Sequence, residues 1–261
     1  MITAVTRVVT GLALTVLSAI CVELVAPHPA AASEPLLTVG RIAQAQAGGA
    51  AVVVPVTVDC EQGESYRPLL EVRQGQSEVL AQRAGAGPSA ACDGKARTMQ
   101  VLVDAPVRDW EGSMEGGYWT TRPSAPFQAG AAVVLAGFGD SWAQVLVRDE
   151  RKDQAHPGLR VGSPVRRVGA GVAVRVGVQV TCSSGSPPYL QVRLSQAQGS
   201  VVRSGQTPLL PLVCDGSGRR LSPLVTAEDR AWLKGSALVN VSRCRHEYDC
   251  TVEAWRTVSV G

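Results

Sequence analysis

Apolar residues alternate with polar or small ones over several short stretches of this chain. GGAAVVVPVTVDC (48–60), GAGVAVRVGVQVTC (169–182), LQVRLSQ (190–196) and AVVLAGF (132–138) are rich in valine and bounded by Gly, Pro, Ser or Asp. A period of two sends successive side chains to opposite faces of an extended backbone, so these stretches predict half-buried β-strands. Helical periodicity never persists, and TAEDRAWLKG (226–235) allows a single turn at most. About seven such strands in roughly 100 residues predict an all-β fold of two tandem antiparallel β-sandwiches, loosely immunoglobulin-like. The immunoglobulin signature itself is missing, because no Trp lies between Cys60 and Cys92 or between Cys182 and Cys214.

The stretches fall into two series. Cys60 and Cys182 are 122 positions apart (182 minus 60), as are the CDG motifs at 92–94 and 214–216 (214 minus 92). Between them LEVRQGQSEVLAQRAG (70–85) answers LQVRLSQAQGSVVRSG (190–205), matching Val72, Arg73, Arg83 and Gly85 with Val192, Arg193, Arg203 and Gly205. Further on, FQAGAAVVL (127–135) answers WLKGSALVN (232–240) at an offset of 105 (235 minus 130), so the first series holds about seventeen extra residues near 109–125. WAQVLV (142–147) answers WRTVSV (255–260) at an offset of 113 (255 minus 142), which gives the second series eight extra residues. The expected organisation is a leader over 1–32, a first copy over 33–150 with the insertion 109–125, a linker over 151–167 carrying Pro157, Gly158 and Pro164, and a second copy over 168–261.

The leader has the parts of a secretory signal peptide: Arg7, an apolar run from 8 to 22, and PAAAS (29–33) for cleavage after Ala32. That run is short for a membrane span, and no transmembrane segment is expected in the mature chain. Cleavage removes Cys21 and leaves six cysteines, an even set that outside the cytoplasm reads as disulfides. The repeated spacing selects Cys60 with Cys92 and Cys182 with Cys214, which leaves Cys244 for Cys250.

The last pair lies in VSRCRHEYDCTVEAW (241–255). A structural zinc site wants about four Cys or His ligands, and only Cys244, His246 and Cys250 are at hand, so no metal and no other cofactor is expected. A staple across the neck of the extra loop explains the spacing better, with a stabilisation of about 2 kcal/mol against about 3.7 kcal/mol for the two larger rings. His246 and Tyr248 then occupy an exposed tip, either a solvated turn or a contact surface.

Catalytic motifs are missing: there is no G-x-S-x-G, H-E-x-x-H or Walker loop, and His156 and His246 are the histidines that survive export. Two dispersed carboxylates remain the one route to an enzyme. The insertion places Trp110, Tyr118 and Trp119 about Gly116 and Gly117, which predicts an extra hairpin that either covers a sheet edge or offers a contact patch. Residues 33–150 hold 9 Lys plus Arg and 14 Asp plus Glu, net −5, whereas residues 151–261 hold 15 and 7, net +8. The second copy is thus suited to an anionic surface such as cell-wall polymer, or to attraction by the first copy. Nucleic acid is not expected, since the chain is exported and its basic residues are scattered.

VGRIAQ (39–44), a valine-rich strand ending in Cys60, a glutamine-bearing strand, ACDG (91–94) and F-x-AGAAVV (127–134) together resemble a family of small secreted domains of actinobacteria with no assigned function. The resemblance spans Leu37 to Phe138 and, more loosely, the second copy. The bias to Ala, Val, Gly and Arg over three lysines suits it. It implies export and carries no functional residues. The expected role is a secreted, non-catalytic binding or structural module at the cell envelope, with anionic wall polymer or a secreted protein as partner. The alternative is a secreted inhibitor that plugs a hydrolase with the loop 244–250 or the hairpin 109–125.

Overall fold

The computed structural model describes residues 36–261 apart from 77–78, 112–117, 122–123, 138–140, 150–152, 229 and 247–248, together with the side chains of 76, 79 and 108–119. The leader and Tyr248 therefore lie outside the described residues. Both halves of the chain belong to one compact unit, Ser33–Gly261. The fold is all-β as expected, and among the described residues the helical content is one three-residue 3₁₀ turn, Gly169–Gly171.

In the N-terminal half the chain runs through β1 (Leu36–Val39), β2 (Ile42–Gln46), β3 (Ala51–Asp59), β4 (Ser65–Tyr66), β5 (Leu69–Gln76), β6 (Val79–Ala86), β7 (Ala90–Ala91) and β8 (Arg97–Val103). A ribbon of β9 (Arg108–Glu111) and β10 (Tyr118–Thr121) precedes the hairpin of β11 (Gly130–Ala136) and β12 (Ser141–Asp149). The strand path is β1-β3-β2-β12-β11-β5-β6, with β8 on the other edge of β3. Within it β2 lies parallel to β12, and every other pair is antiparallel. Just past β8, Ala105 and Ala84 exchange two backbone hydrogen bonds of 2.9 Å, so the chain leaving β8 meets β6. The enclosed core is built from the inward alternation the valines predict: Val52, Val54 and Val56, then Val72, Val101, Val103 and Val134, closed by Phe127.

The C-terminal half contains β13 (Leu159–Val161), β14 (Arg166–Val168), β15 (Ala173–Arg175), β16 (Val178–Thr181), β17 (Tyr189–Gln198), β18 (Val201–Gln206), β19 (Leu210–Pro211), β20 (Gly218–Leu221), β21 (Leu224–Thr226), β22 (Gly235–Cys244) and β23 (Cys250–Val260). They form the sheets β13-β16-β20, β14-β15-β21 and β18-β17-β22-β23. Val165 bridges Val260 in parallel, as β2 runs parallel to β12. The second core gathers Val174, Val178, Val192, Leu194, Val239 and Val258 around the buried Trp232.

Backbone pairings in the two halves correspond residue by residue. Leu37 faces Val58 and Leu159 faces Val180; Val53 faces Leu102 and Arg175 faces Leu224. Each correspondence keeps the cysteine offset of 122 (180 minus 58, 224 minus 102). The same offset holds in the central hairpins, where Gln76 faces Val79 and Gln198 faces Val201. Leu70, Val72 and Gln74 thus take the places of Val192, Leu194 and Gln196, two residues away from the match of Val72 with Val192 and Arg83 with Arg203 that the letters suggest. A slip of two preserves which side chains point inward, so alternation cannot detect it.

The glutamines mark the true register. Gln74 Nε2 donates to the carbonyl of Gln128 at 2.9 Å while its Oε1 accepts the Gln128 N–H at 2.9 Å. Gln196 does the same to Leu233, at 2.9 and 3.1 Å. Each clamp holds the segment that delivers the large core ring, Phe127 or Trp232. Both rings enter beside a glycine in the left-handed region, Gly49 (φ 85°) or Gly171 (φ 95°), where a Cβ would lie 2.1 or 2.4 Å from the carbonyl oxygen of the ring-bearing residue.

Part of the polar stretch 151–167 is ordered strand. Gln154 and Trp255 exchange backbone hydrogen bonds of 2.9 and 3.0 Å, and Leu159, Val161 and Val165 are buried. Prolines and charges mask these three apolar anchors in the sequence.

Candidate functional site

The three disulfides are Cys60–Cys92, Cys182–Cys214 and Cys244–Cys250. After each of the first two bonds comes a tight turn that accounts for the CDG motif. Asp93 accepts from the Lys95 N–H at 3.3 Å and pairs with Arg97 at 2.6 Å; Asp215 accepts from the Ser217 N–H at 2.9 Å and pairs with Arg219 at 3.0 Å. The Arg97 bond holds the Asp93 carboxyl below its ordinary range, and the Ser217 and Arg219 bonds do so for Asp215. Gly94 and Gly216 supply the positive φ, 72° and 85°. The motif is a turn device at the end of a disulfide ring, with its carboxylates committed to holding the turn.

Among the described residues no group of three His, Cys, Asp or Glu is placed to hold a metal ion. Cys244 and Cys250 are bonded to each other, and His246 is exposed. The loop they close is held from the opposite half: Arg67 donates to the carbonyl of Cys250 and lies 3.7 Å from Asp249, while Arg245 reaches Asp249 at 3.8 Å. His156 is also placed. Its Nδ1 accepts the Gly158 N–H at 3.2 Å and lies 3.9 Å from Glu253, whose carboxylate pairs with Arg243 at 2.9 Å. Burial raises the Glu253 pKa, while Arg243 and His156 oppose the rise.

The insertion carries the paired strands expected of a hairpin, β9 and β10, with Trp110 opposite Trp119 and Tyr118 opposite Glu111 in backbone register; its turn, and whether these rings cover an edge or offer a patch, lie outside the described residues. Its return leads into the seam between the halves, where the carbonyl of Ser124 accepts the Val202 N–H at 2.9 Å.

That seam is the feature the sequence did not reveal. Ala50, Ala51, Val53 and Leu102 of the N-terminal half form one buried cluster with Leu238 and Trp255 of the C-terminal half. Beside it lies a polar group. The Arg83 guanidinium donates to the Asp104 carbonyl (3.3 Å), Ser204 Oγ (3.1 Å) and the Val202 carbonyl (3.2 Å). Asn240 donates to the Asp104 carboxylate, and Arg193 lies 3.6 Å from it. Burial lowers the Arg83 pKa to about 10 against the pull of Asp104. Burial likewise raises the Asp104 pKa, against Arg193, Arg83 and Asn240. In β22, GSALVNVSRC, eight consecutive residues are buried, so the seam covers this strand on both faces, although Asn, Ser and Arg among its letters conceal that in the sequence. An open cleft of about 420 Å³ flanks the polar group, with Arg67, Glu71, Asp104 and Arg193 on its wall.

The N-terminal half has the matching sheet face, and among the described residues it stays open about Trp142 and Leu146. Trp142 is 68% exposed there and Leu146 44%, with Ile42 and Leu69 also exposed. Trp142 stands where the C-terminal half has Trp255, which is 2% exposed. Trp142 is not among the contact candidates read from the sequence, although the match of WAQVLV with WRTVSV already paired the two rings. Neither a family model nor a curated protein matches this chain.

Proposed function

We propose that this chain is a secreted, non-catalytic binding and structural module acting at or beyond the cell envelope, built from two copies of one immunoglobulin-like unit of the small actinobacterial kind. The observation that carries the proposal is the open apolar sheet face around Trp142, displayed on a body held by three disulfides. An exposed apolar patch on a rigid β-scaffold suits a partner of similar flatness. Disulfides and the absence, among the described residues, of a helix long and apolar enough to cross a membrane fit an extracellular setting. The net charge of +8 over residues 151–261 adds an affinity for anionic polymer.

Biotinylated mature chain, incubated with cell-wall extract and culture supernatant, tests the proposal. Retention on wall polymer or capture of a secreted protein, weakened by Trp142→Ala or by high salt, supports it. Stoichiometric capture of a hydrolase whose activity falls on binding replaces it with the inhibitor reading, with the disulfide loop 244–250 as the first segment to mutate. Retention of nothing from either extract sinks both.

A further inference from the structure

The seam takes one sheet face from each half. From the N-terminal half it takes the β3–β8 face, with Ala50, Val53 and Leu102; from the C-terminal half it takes the β17–β22–β23 face, with Leu238 and Trp255. The two faces left over are the counterparts of the two that are used. On the C-terminal half, Val172, Arg175 and Leu224 stand at the offset of 122 from Ala50, Val53 and Leu102 (172 minus 50, 175 minus 53, 224 minus 102), and Arg175 faces Leu224 as Val53 faces Leu102. Val172 is 59% exposed and Leu224 43%, whereas Ala50 and Leu102 are buried. On the N-terminal half the counterpart of the Trp255 face is the open face of Trp142 and Leu146.

We infer that a second copy of this chain docks its Val172–Arg175–Leu224 face onto the Trp142 face, repeating between molecules the seam that joins the halves within one. Charge favours the pairing, because the accepting half carries −5 and the donating half +8. Val53 shares its buried cluster with Trp255, so in the repeated seam Arg175 comes over Trp142, a cation–π arrangement in place of an aliphatic one. Each copy then has one donating and one accepting face. Such a contact is heterologous and propagates into an open chain of molecules unless rotation closes a ring. The inference rests on the reading of this protein as a structural module and supplies its partner.

Sedimentation velocity of the purified mature chain, with no extract present, tests it. Growth past the dimer with rising concentration is expected, reversed by high salt. Trp142→Glu and Arg175→Glu, each at an exposed position and each melting as the parent does, are both expected to be monomeric. Mixed together they still offer one intact face of each kind, so the mixture is expected to form a one-to-one dimer that grows no further. A parent that stays monomeric at all concentrations, a closed dimer indifferent to Arg175→Glu, or a mixture that remains monomeric overturns the inference. If the parent is monomeric yet still binds wall extract, the module reading stands without its self-assembly; if it binds nothing, both fall.

Discussion

Trp142 and Trp255 occupy corresponding places on the last strands of the two halves, and their surroundings are opposite. Trp255 is buried in one cluster with Val53 and Leu102 of the other half, and Trp142 faces solvent. The strand frames correspond, the cores are both valine-rich and the glutamine clamps recur, so the difference does not arise inside either half. It arises because two faces meet once between the two halves, and one face of each kind is left over. The seam also places charge unequally. Arg83 and Asp104 are buried in the N-terminal half where the C-terminal half has Gly205 and Thr226, and the former meet polar partners across the seam in Ser204, Val202 and Asn240.

Truncation of the two tryptophans breaks this comparison most directly. Trp255→Ala is expected to cost about 3–5 kcal/mol, because it opens a cavity in a sealed cluster. Trp142→Ala is expected to change stability by no more than about 0.5 kcal/mol. Urea melting of both variants decides the matter, and equal losses would mean that the seam does not hold in solution.

The charged group comes next. Asp104→Ala leaves Arg83 buried without its counter-charge, and a loss of at least about 3 kcal/mol is expected from thermal melting. Asp104→Asn isolates the pH dependence. Folding raises the Asp104 pKa, so the native state holds this proton more tightly than the unfolded chain. Its contribution is present at low pH and lost as pH rises from the ordinary carboxylate value of about 4 through the raised one. Denaturant titrations of parent and variant over this range should differ in slope with that sign; a parent that gains stability relative to the variant as pH rises contradicts the assignment.

Removing disulfides tests the two halves for equality. Replacing Cys60 and Cys92 by Ser, or Cys182 and Cys214, should cost similar amounts, each about 3.7 kcal/mol in the chain-entropy account, and replacing Cys244 and Cys250 about 2 kcal/mol. A much larger loss on removing Cys244–Cys250 would show that the Arg67 contacts to its loop, rather than the ring, hold the halves together.

The glutamine clamps come last. Gln74→Ala and Gln196→Ala each leave a backbone N–H and carbonyl without a partner, and losses of about 1–3 kcal/mol, equal in the two halves, should appear in calorimetry. A marked inequality would identify the half whose core ring is fixed by the seam as well as by its clamp.

Alternation of valines was enough to give the strands and their inward faces, because a period of two is a local property that each strand displays alone. Cysteine spacing gave the disulfides, since two rings of one size restrict the choice. The ribbon in the insertion was legible from its aromatic residues and paired glycines. The central hairpin was legible only to within two residues, because that slip leaves every inward position inward. The seam was not legible at all. Whether a Trp on the outer face of a strand is core or surface depends on what another part of the chain lays over it, and Trp142 and Trp255 have the same local surroundings in sequence, a strand of alternating apolar residues. The sequence by itself thus determined the strands, the cores and the disulfide pairs, all fixed by local pattern and ring size. The tertiary structure alone decided the register of the central hairpin, the burial of Arg83 with Asp104 and the choice of which tryptophan to cover, because each depends on contacts between residues that no local pattern connects.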